Sequence, residues 1–355
     1  MMCQGPRVPG DEHLRRLRLR SQRLEPRCGD GAAALVRAVC GVQAQDPAAA
    51  LLSVRARTAA LTAGAARADP ALVRTWAWRG TLHLLAADDL PWVLPLVAPA
   101  AMRGVHARWR RLGLDEATYA RARRVAGEAL AAEGALSRTR LRERLAAEGV
   151  DASGQRLPHL VRRAALEGLL QLRLDGTVAA LRLPPPLARE QALAALARRY
   201  LDAYGPAEPR DLAAWSGLPA ADVRAAWAAV AEELVPVGRL WALSEAPTAP
   251  AATTVRLLPG FDTYLLGHRS RDDVVAPAHA RSVRPGGGWI HPVLLVDGRA
   301  AGTWRTESTA AAMTIAVSPF AALPVAVRRG VEAEAEDVGR FLARPVRLRV
   351  KPPAG

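Results

Sequence analysis

Two glutamine side chains, Gln43 and Gln45, stand one residue apart in the stretch GVQAQDPAAA, residues 41–50. They follow an almost wholly apolar run, GAAALVRAVCGV, and precede Asp46 and Pro47, so they close a predicted buried helix. An amide is both a hydrogen-bond donor and an acceptor, so two neighbouring amides can hold one water molecule in a fixed position. Their carbonyl dipoles can also stabilise a cationic centre, whereas their weak basicity excludes strong general-base catalysis.

Helix termination is the alternative interpretation of the same pair. Glutamine side chains can bond the last free carbonyls of a helix, and Asp-Pro can start the following turn. Metal chemistry is not expected, because Cys3, Cys28 and Cys40 are scattered and the seven histidines show no ligand spacing. We therefore expect neither a metal nor a cofactor.

The charge of the chain indicates a polyanionic partner. Its 355 residues carry a formal net charge of +15, and Lys351 is the only lysine among the 49 Lys and Arg residues. Such an excess favours nucleic acid first and an anionic membrane surface second, although some basic proteins bind neither. No apolar stretch reaches the roughly 20 residues of a membrane span. We expect a cytoplasmic, nucleoid-associated protein.

The middle of the chain predicts a winged-helix unit. Ser137 can cap a helix, RTRLRERLAAEG, which is followed by a turn and a second helix, QRLPHLVRRAALEGLL. Two strands around Asp175-Gly176, a typical type I′ turn, form the wing. The second helix of such a motif usually enters the DNA groove.

Similar patterns flank this unit on both sides. After the proline spacer LPPPLA come three predicted helices and a hairpin around Gly238. Before it, GAAALVRAVCGV, AALLSVRARTAALTAG and DPALVRTWAW are predicted helices, and RGTLHLLAADD enters a strand. The C-terminal third alternates like β-structure, with a turn at Asp297-Gly298 and one late helix.

The predicted fold is therefore α+β, with three tandem winged-helix units and a C-terminal β-rich, barrel-like domain. The expected divisions are residues 1–132, which include the glutamines and a helical extension, then 133–186, 187–248 and 249–355. Three winged helices on one basic chain predict a DNA-binding protein, with the units forming a concave cradle for a duplex. The tryptophans are expected to be mostly core residues.

Four motifs together resemble one family, the AlkZ family of bacterial DNA glycosylases: VQAQDP, WRGTLHLLAADDLPW, LLPGFDTYLLGHRSRDDVV and VLLVDGRAAGTWR. The family's catalytic Gln-aliphatic-Gln motif would fall on Gln43 and Gln45, with Ala44 between them. A sister branch, typified by YcaQ, has Asp at the second position, so this chain is similar to the AlkZ-like branch. The resemblance implies release of N7-alkylated purines from double-stranded DNA and unhooking of interstrand crosslinks.

We expect contacts with DNA at five further residues. Arg79 would bind a phosphate, and His83 would contact the lesion or the backbone unless it is a half-buried strand histidine. Asp262 would orient the site across a domain interface or cap a turn. Arg269 and Arg271 would anchor the DNA backbone unless the neighbouring aspartates neutralise them.

The implied enzyme is a monofunctional glycosylase, because no lysine lies near the glutamines to form a Schiff base. We expect a monomer, since no predicted helix offers a clear dimer seam. A winged-helix transcription regulator without catalytic activity is the main alternative, and a structural nucleoid protein is a second. Neither alternative gives a use to buried amides at 43 and 45.

Overall fold

The computed structural model describes residues 11–244, 253–308 and 313–353. Helices and strands alternate along these ranges, and the predicted α+β class is confirmed. Cys3 and the predicted division between residues 248 and 249 lie outside the described residues. Within the described ranges, no helix combines the length and apolarity needed to cross a bilayer.

In the described residues 11–86, the N-terminal part contains four α-helices and three strands. In chain order these are α1 (Asp11–Ser21), α2 (Ala32–Ala38), β1 (Val42–Gln43), α3 (Pro47–Arg55), α4 (Ala63–Ala68), β2 (Leu72–Trp76) and β3 (Leu82–Ala86). The prediction of a helix over DPALVRTWAW was wrong, because β2 pairs antiparallel with β3 from Leu72–Ala86 to Trp76–Leu82. A helix this short gains little from its own hydrogen bonds, so strand pairing in the folded protein prevails.

The middle part consists of five helices and a hairpin. They are α5 (Leu90–Arg103), α6 (His106–Arg111), α7 (Glu116–Glu133), α8 (Arg138–Ala147), α9 (Arg156–Leu166), β4 (Leu170–Leu172) and β5 (Val178–Ala180). Ser137 caps α8 as predicted, accepting a hydrogen bond of 3.1 Å from the Arg140 amide. The buried face of α7 packs with α8 and α9, although the predicted division at residue 132 separates them.

A third group of helices follows the proline spacer. It comprises α10 (Arg189–Tyr204), α11 (Pro209–Ser216), α12 (Ala220–Ala228), β6 (Val235–Val237) and β7 (Leu240–Ala242). Its core is shared with the N-terminal part, because Trp78 packs 4.7 Å from Trp215 between ring centroids. The first and middle parts are joined as well, since their strands form one sheet in the order β1-β3-β2-β4-β5.

One order of elements occurs three times: a helix, an extended segment, two more helices and a hairpin. Each extended segment pairs with the second hairpin strand, at Gln43 with His83, Leu136 with Val178 and Ala207 with Trp241. In the second and third groups the paired residue directly precedes the N-cap residue of the next helix. In the first group, Ala44 and Gln45 intervene before the N-cap residue, Asp46.

The C-terminal part is built on a curled, five-stranded sheet, as the β-like pattern predicted. Its elements are β8 (Val255–Leu258), α13 (Thr263–Leu266), α14 (Ala280–Val283), β9 (Val293–Val296), β10 (Arg299–Ser308), β11 (Met313–Pro319), α15 (Val325–Leu342) and β12 (Val346–Val350). The strand order is β12-β11-β10-β9-β8, and a register shift between Ala300 and Gly302 bends the β9–β10 pair. Helix α15 packs its apolar side on this sheet.

Two fully buried arginines attach the C-terminal part to the rest of the molecule: Arg55 is the last residue of α3, and Arg57 follows the helix by two residues. Arg57 donates to both carboxylate oxygens of Asp262, at 2.8 and 2.9 Å. Arg55 donates to Glu334 on α15 at 2.8 Å and to the Leu257 carbonyl at 2.6 Å. Because buried charges are stable only when they are paired and hydrogen-bonded, these contacts fix the two parts relative to each other.

Candidate active site

The two glutamines contact each other at the junction between β1 and α3. Gln43 is 8% exposed and lies opposite His83 in the sheet, whereas Gln45 is exposed. The Gln43 Nε2 donates to the Gln45 Oε1 at 2.9 Å. Among the described residues no side chain or backbone group bonds the Gln43 Oε1 or the Gln45 Nε2. One acceptor and one donor of the pair are therefore free for a water or a substrate.

The backbone around the pair is fixed on both sides. The Ala44 amide donates to the Leu82 carbonyl at 2.8 Å, and the Arg74 Nε donates to the Ala44 carbonyl at 2.8 Å. Asp46 caps α3 by accepting from the Ala48 amide at 2.8 Å. A hydrogen-bonded frame of this kind reduces the conformational freedom that an isolated turn would retain.

The helix-termination interpretation is wrong for this pair. Helix α2 ends at Ala38, and backbone amides bond its last carbonyls, including Gly41 N to Val36 O at 2.9 Å. Gly41 has a φ of 94°, and a Cβ there would lie 2.6 Å from the Leu85 side chain. Glycine is therefore required where the chain turns from α2 into β1.

Both glutamines line an open cleft with a volume of about 650 Å³ between the N-terminal part and the C-terminal part. Four arginines and two aromatic side chains share its walls, namely Arg79, Arg271, Arg281, Arg284, Phe261 and Trp289. Of the described residues that line it, none carries a carboxylate. A positive, aromatic cleft with neutral amides is suited to a phosphodiester chain and its bases.

Two predicted phosphate-binding residues, Arg79 and Arg271, lie in this cleft. Arg79 lies in the turn between β2 and β3 with a φ of 54°. Its side chain is exposed to solvent. Desolvation by the surrounding protein lowers its pKa. Burial, followed by the charges of Arg284 and Arg79, lowers the pKa of Arg271. The Arg271 Nε donates to the Leu265 carbonyl at 2.6 Å, and this hydrogen bond fixes the orientation of the guanidinium.

The aspartates beside Arg269 and Arg271 do not neutralise them. Asp273 pairs with Arg18 at 3.3 Å, and Asp272 accepts from the Ser270 hydroxyl at 2.8 Å. Arg269 is exposed and lines a neighbouring cavity of about 800 Å³ rather than the glutamine cleft. Arg271 and Arg284 border both cavities, whereas the lining of the second cavity also includes five carboxylates.

His83 lies behind Gln43 rather than at the surface. It is 5% exposed, and its Nδ1 lies 3.0 Å from the Thr81 carbonyl, to which it donates. Burial lowers the pKa of His83 to about 4, so the ring is neutral at pH 7. A charged contact with a phosphate, one of the roles expected from the resemblance, does not fit this position.

Asp262 also departs from the expected DNA contact, because its carboxylate is fully buried. Ser53 donates to it at 2.6 Å, and the Tyr264 amide donates at 2.9 Å, so it caps α13. Burial raises the pKa of Asp262, but the Arg57 charge and these hydrogen bonds outweigh burial and hold the pKa below its usual value. Its position is that of a link between the two walls of the cleft.

Sequence reasoning missed several residues of the cleft. Arg281, Arg284 and Trp289 come from RSVRPGGGW, which belongs to none of the four motifs. Three consecutive glycines before a tryptophan were the available signal, because they indicate a turn that exposes the following side chain. Arg74 was missed because its contact with Ala44 depends on the pairing of β2, which was predicted as a helix.

Comparison with known proteins assigns the chain to a family. The family model described as DNA glycosylase AlkZ-like matches residues 36–341. The chain belongs to the AlkZ-like DNA glycosylases. The resemblance seen in the four motifs is thereby confirmed, and a transcription regulator without catalytic activity is excluded.

A relative and a solved structure extend the similarity over the whole chain. The interstrand DNA cross-link repair glycosylase of Streptomyces sahachiroi is 32% identical over 366 residues, covering 91% of this chain and 94% of the relative. The solved structure of the Streptomyces sahachiroi DNA glycosylase AlkZ matches with a TM-score of 0.73 at 28% identity, covering 97% of this chain and all of that one. This AlkZ-like chain thus shares its fold with that structure over 97% of its length.

Proposed function

We propose that this chain hydrolyses the N-glycosidic bond of N7-alkylated purines in duplex DNA and unhooks interstrand crosslinks. The pair of hydrogen-bonded amides, set in a cleft lined by arginines, carries the proposal. Family membership and the similarity to the Streptomyces interstrand DNA cross-link repair glycosylase support the reaction class and the crosslink substrate.

The proposed chemistry matches what amides can do. An N7-alkylpurine is positively charged, so the base leaves without protonation, and the developing charge is that of an oxocarbenium-like sugar. The free Gln43 carbonyl accepts a hydrogen bond from the attacking water, while the Gln45 NH₂ group donates to the same water. The carbonyl dipoles stabilise the sugar cation in the cleft. Because neither amide is a base, the proton lost by the attacking water passes to solvent water, and the reaction is limited to such activated lesions.

The proposed reaction is monofunctional, with water as the nucleophile. Lys351, the only lysine, follows β12 and is not among the residues lining the cleft. A Schiff base with the sugar, which would lead to strand cleavage, requires an amine at the site. Base release without strand scission is therefore the expected product pattern.

Double-stranded DNA is the proposed partner, bound by one molecule of the protein in the cytoplasm, at the nucleoid. We assign the three repeated groups of elements as winged-helix units, with divisions near those expected from the sequence except that α7 joins the second unit. Arg162 on α9 lies 5.9 Å from the Trp76 ring centre and beside Gly80, so the second unit's groove-reading helix borders the turn that holds Arg79. This arrangement supports one continuous DNA track.

An open cleft suits a crosslinked base. Such a base is tied to the opposite strand and cannot rotate freely into a closed pocket, as bases do in many glycosylases. Since both glutamines face the open cleft, a lesion can meet them within the duplex. Crosslink unhooking is therefore compatible with this site, and small adducts are expected to be substrates as well.

Substitution of each glutamine tests the proposal. Gln45→Ala and Gln43→Ala should each lower single-turnover release of 7-methylguanine about 100-fold, because one positioned polar group stabilises the transition state by roughly 3 kcal/mol. The double variant should fall short of additivity if both amides hold one water. Gln45→Asp, which supplies a carboxylate in place of the amide, should retain activity.

Two controls separate catalysis from folding and binding. Thermal melts and affinity for undamaged duplex should stay close to wild type in every glutamine variant. Full activity of both alanine variants would remove the glutamines from the mechanism. Inactivity of a folded, DNA-binding Gln45→Asp protein would mean that the NH₂ donor of Gln45 is essential.

A further inference from the structure

Trp289 is an exposed aromatic side chain in a protein whose other tryptophans are mostly buried. It is 63% exposed, whereas Trp78, Trp92, Trp109, Trp215 and Trp304 are at most 6% exposed. Exposing an indole to water forfeits the favourable free energy of burying it, so such a side chain often has a binding partner. Trp289 lines the same cleft as Gln43 and Gln45, which places the partner at the site.

Hydrogen bonds and a buried neighbour hold the loop that carries this indole. The loop is closed at its base by the His291 amide, which donates to the Val283 carbonyl at 2.9 Å, and the neighbouring Ile290 is buried. The three glycines before Trp289 have φ values of 116°, 60° and 79°, a conformation that other residues rarely adopt. The Trp289 amide donates to the Gly286 carbonyl at 3.1 Å. Phe261 supports the ring at 5.8 Å between centroids, so the indole is held in place.

The charges of the cleft give this indole a specific task. Four arginines suit phosphates but repel a base that carries a positive charge. The face of an indole is electron-rich and attracts cations, more strongly than any other aromatic side chain. Any base that stacks on Trp289 gains dispersion contact, but only a cationic base, as an N7-alkylpurine is, also gains this electrostatic attraction.

We propose that Trp289 is a specificity-determining residue that stacks on the cationic purine and distinguishes it from a neutral base of the same shape. This inference rests on the proposed function, since it takes the N7-alkylpurine as substrate. Stacking on an aromatic ring tolerates any base, so the charge of the lesion, rather than its hydrogen-bonding edge, provides the selection.

Binding to two non-cleavable probes tests this role. One duplex carries a 2′-fluorinated 7-methylguanine nucleotide, which is cationic, and the other carries 7-methyl-7-deazaguanine, which has nearly the same shape but is neutral. The wild type should bind the cationic probe more tightly. Trp289→Leu should reduce this preference about fivefold, the size of a cation–π contact at a partly exposed site, and Trp289→Phe should retain part of it.

Trp241→Leu is the matched control, because Trp241 is 38% exposed on β7 and does not line the cleft. It should keep the wild-type preference. An unchanged preference in a folded Trp289→Leu protein would overturn the inference, and so would an equal loss with both bases. The proposed function is tested apart from this, since it fails if the wild type releases no 7-methylguanine, whatever the two probes show.

Discussion

Gln43 and Gln45 have different surroundings although their side chains are identical. Gln43 is held in a strand and buried, so its orientation is set by the sheet, whereas Gln45 is exposed and is oriented by the hydrogen bond from Gln43. The buried donor thus orients the exposed acceptor, and this contact preorganises two neutral groups. The proposed loss of activity in Gln43→Ala therefore includes the effect of releasing the Gln45 side chain from its hydrogen bond.

The buried neutral His83 predicts a pH dependence of stability. Its pKa is about 4 in the folded protein and near 6.5 when unfolded, so the unfolded state binds the proton more tightly. The stabilisation is complete above pH 6.5 and is lost as the pH falls towards 4, by up to about 3 kcal/mol. His83→Asn should remove this part of the pH dependence, measured by urea unfolding at several pH values.

His13→Asn provides the matched control, because His13 is exposed on α1. Its unfolding curves should follow the wild-type pH dependence. An unchanged pH dependence in His83→Asn would show that His83 is accessible to protons in the folded protein.

Sequence patterns predicted these residues to different degrees. The glutamine pair, Arg79 and Arg271 were expected at the site, and the structure brings all four to one cleft. Asp262 was expected to contact DNA because nothing near it in the chain reveals its partner, Arg57, which is 205 residues away. Burial that depends on such distant contacts cannot be derived from local sequence.

Helix α3 connects the candidate active site to the C-terminal part. It begins directly after Gln45 and Asp46, and near its end Arg55 and Arg57 bond the C-terminal part. The helix therefore links the wall that carries the glutamines to the C-terminal wall of the cleft. The pattern predicted this helix, but it merged α3 with α4 because alanine and leucine continue through the break.

Asp262→Asn should test this connection. Breaking a buried ion pair leaves the Arg57 charge uncompensated, so the free energy of unfolding should fall by about 3 kcal/mol. The exposed Asp272→Asn is the control and should change it by less than about 0.5 kcal/mol. Loss of DNA affinity at unchanged stability would instead favour the original expectation of a DNA contact at Asp262.

At the scale of the whole molecule, the repeated groups of elements pack against each other and do not form separate domains. The first and second share a sheet through β2 and β4, and the first and third share the Trp78 and Trp215 core. The sequence predicted the helices and the hairpin of the second and third groups, since each group has its own local pattern. It could not predict the shared sheet, which depends on a single backbone pair between Arg74 and Leu172.

The positive surface of the cradle predicts a strong salt dependence. Each arginine–phosphate contact releases about one counterion, so Arg281→Gln and Arg284→Gln should each reduce the slope of log K against log salt by about 1. Fluorescence anisotropy with undamaged duplex at several salt concentrations measures the slope.

Arg198→Gln should leave that slope unchanged, because Arg198 already pairs with Glu233 at 2.7 Å and does not line the cleft. Slopes that are equal in all three variants would place the DNA away from the glutamine cleft.

Only in the first group do two residues, Ala44 and Gln45, separate the paired strand residue from the N-cap residue of the next helix. This difference bears on how such an enzyme arises. In the other two units the paired residue and the cap are adjacent, and the chain has no room for a projecting side chain between them. Lengthening this one joint by Ala44 and Gln45 leaves the pairing with β3 and the start of α3 in place. On the proposed function, an insertion of two codons at this joint would supply Gln45 to a DNA-binding module, and a deletion of the same size would remove it again.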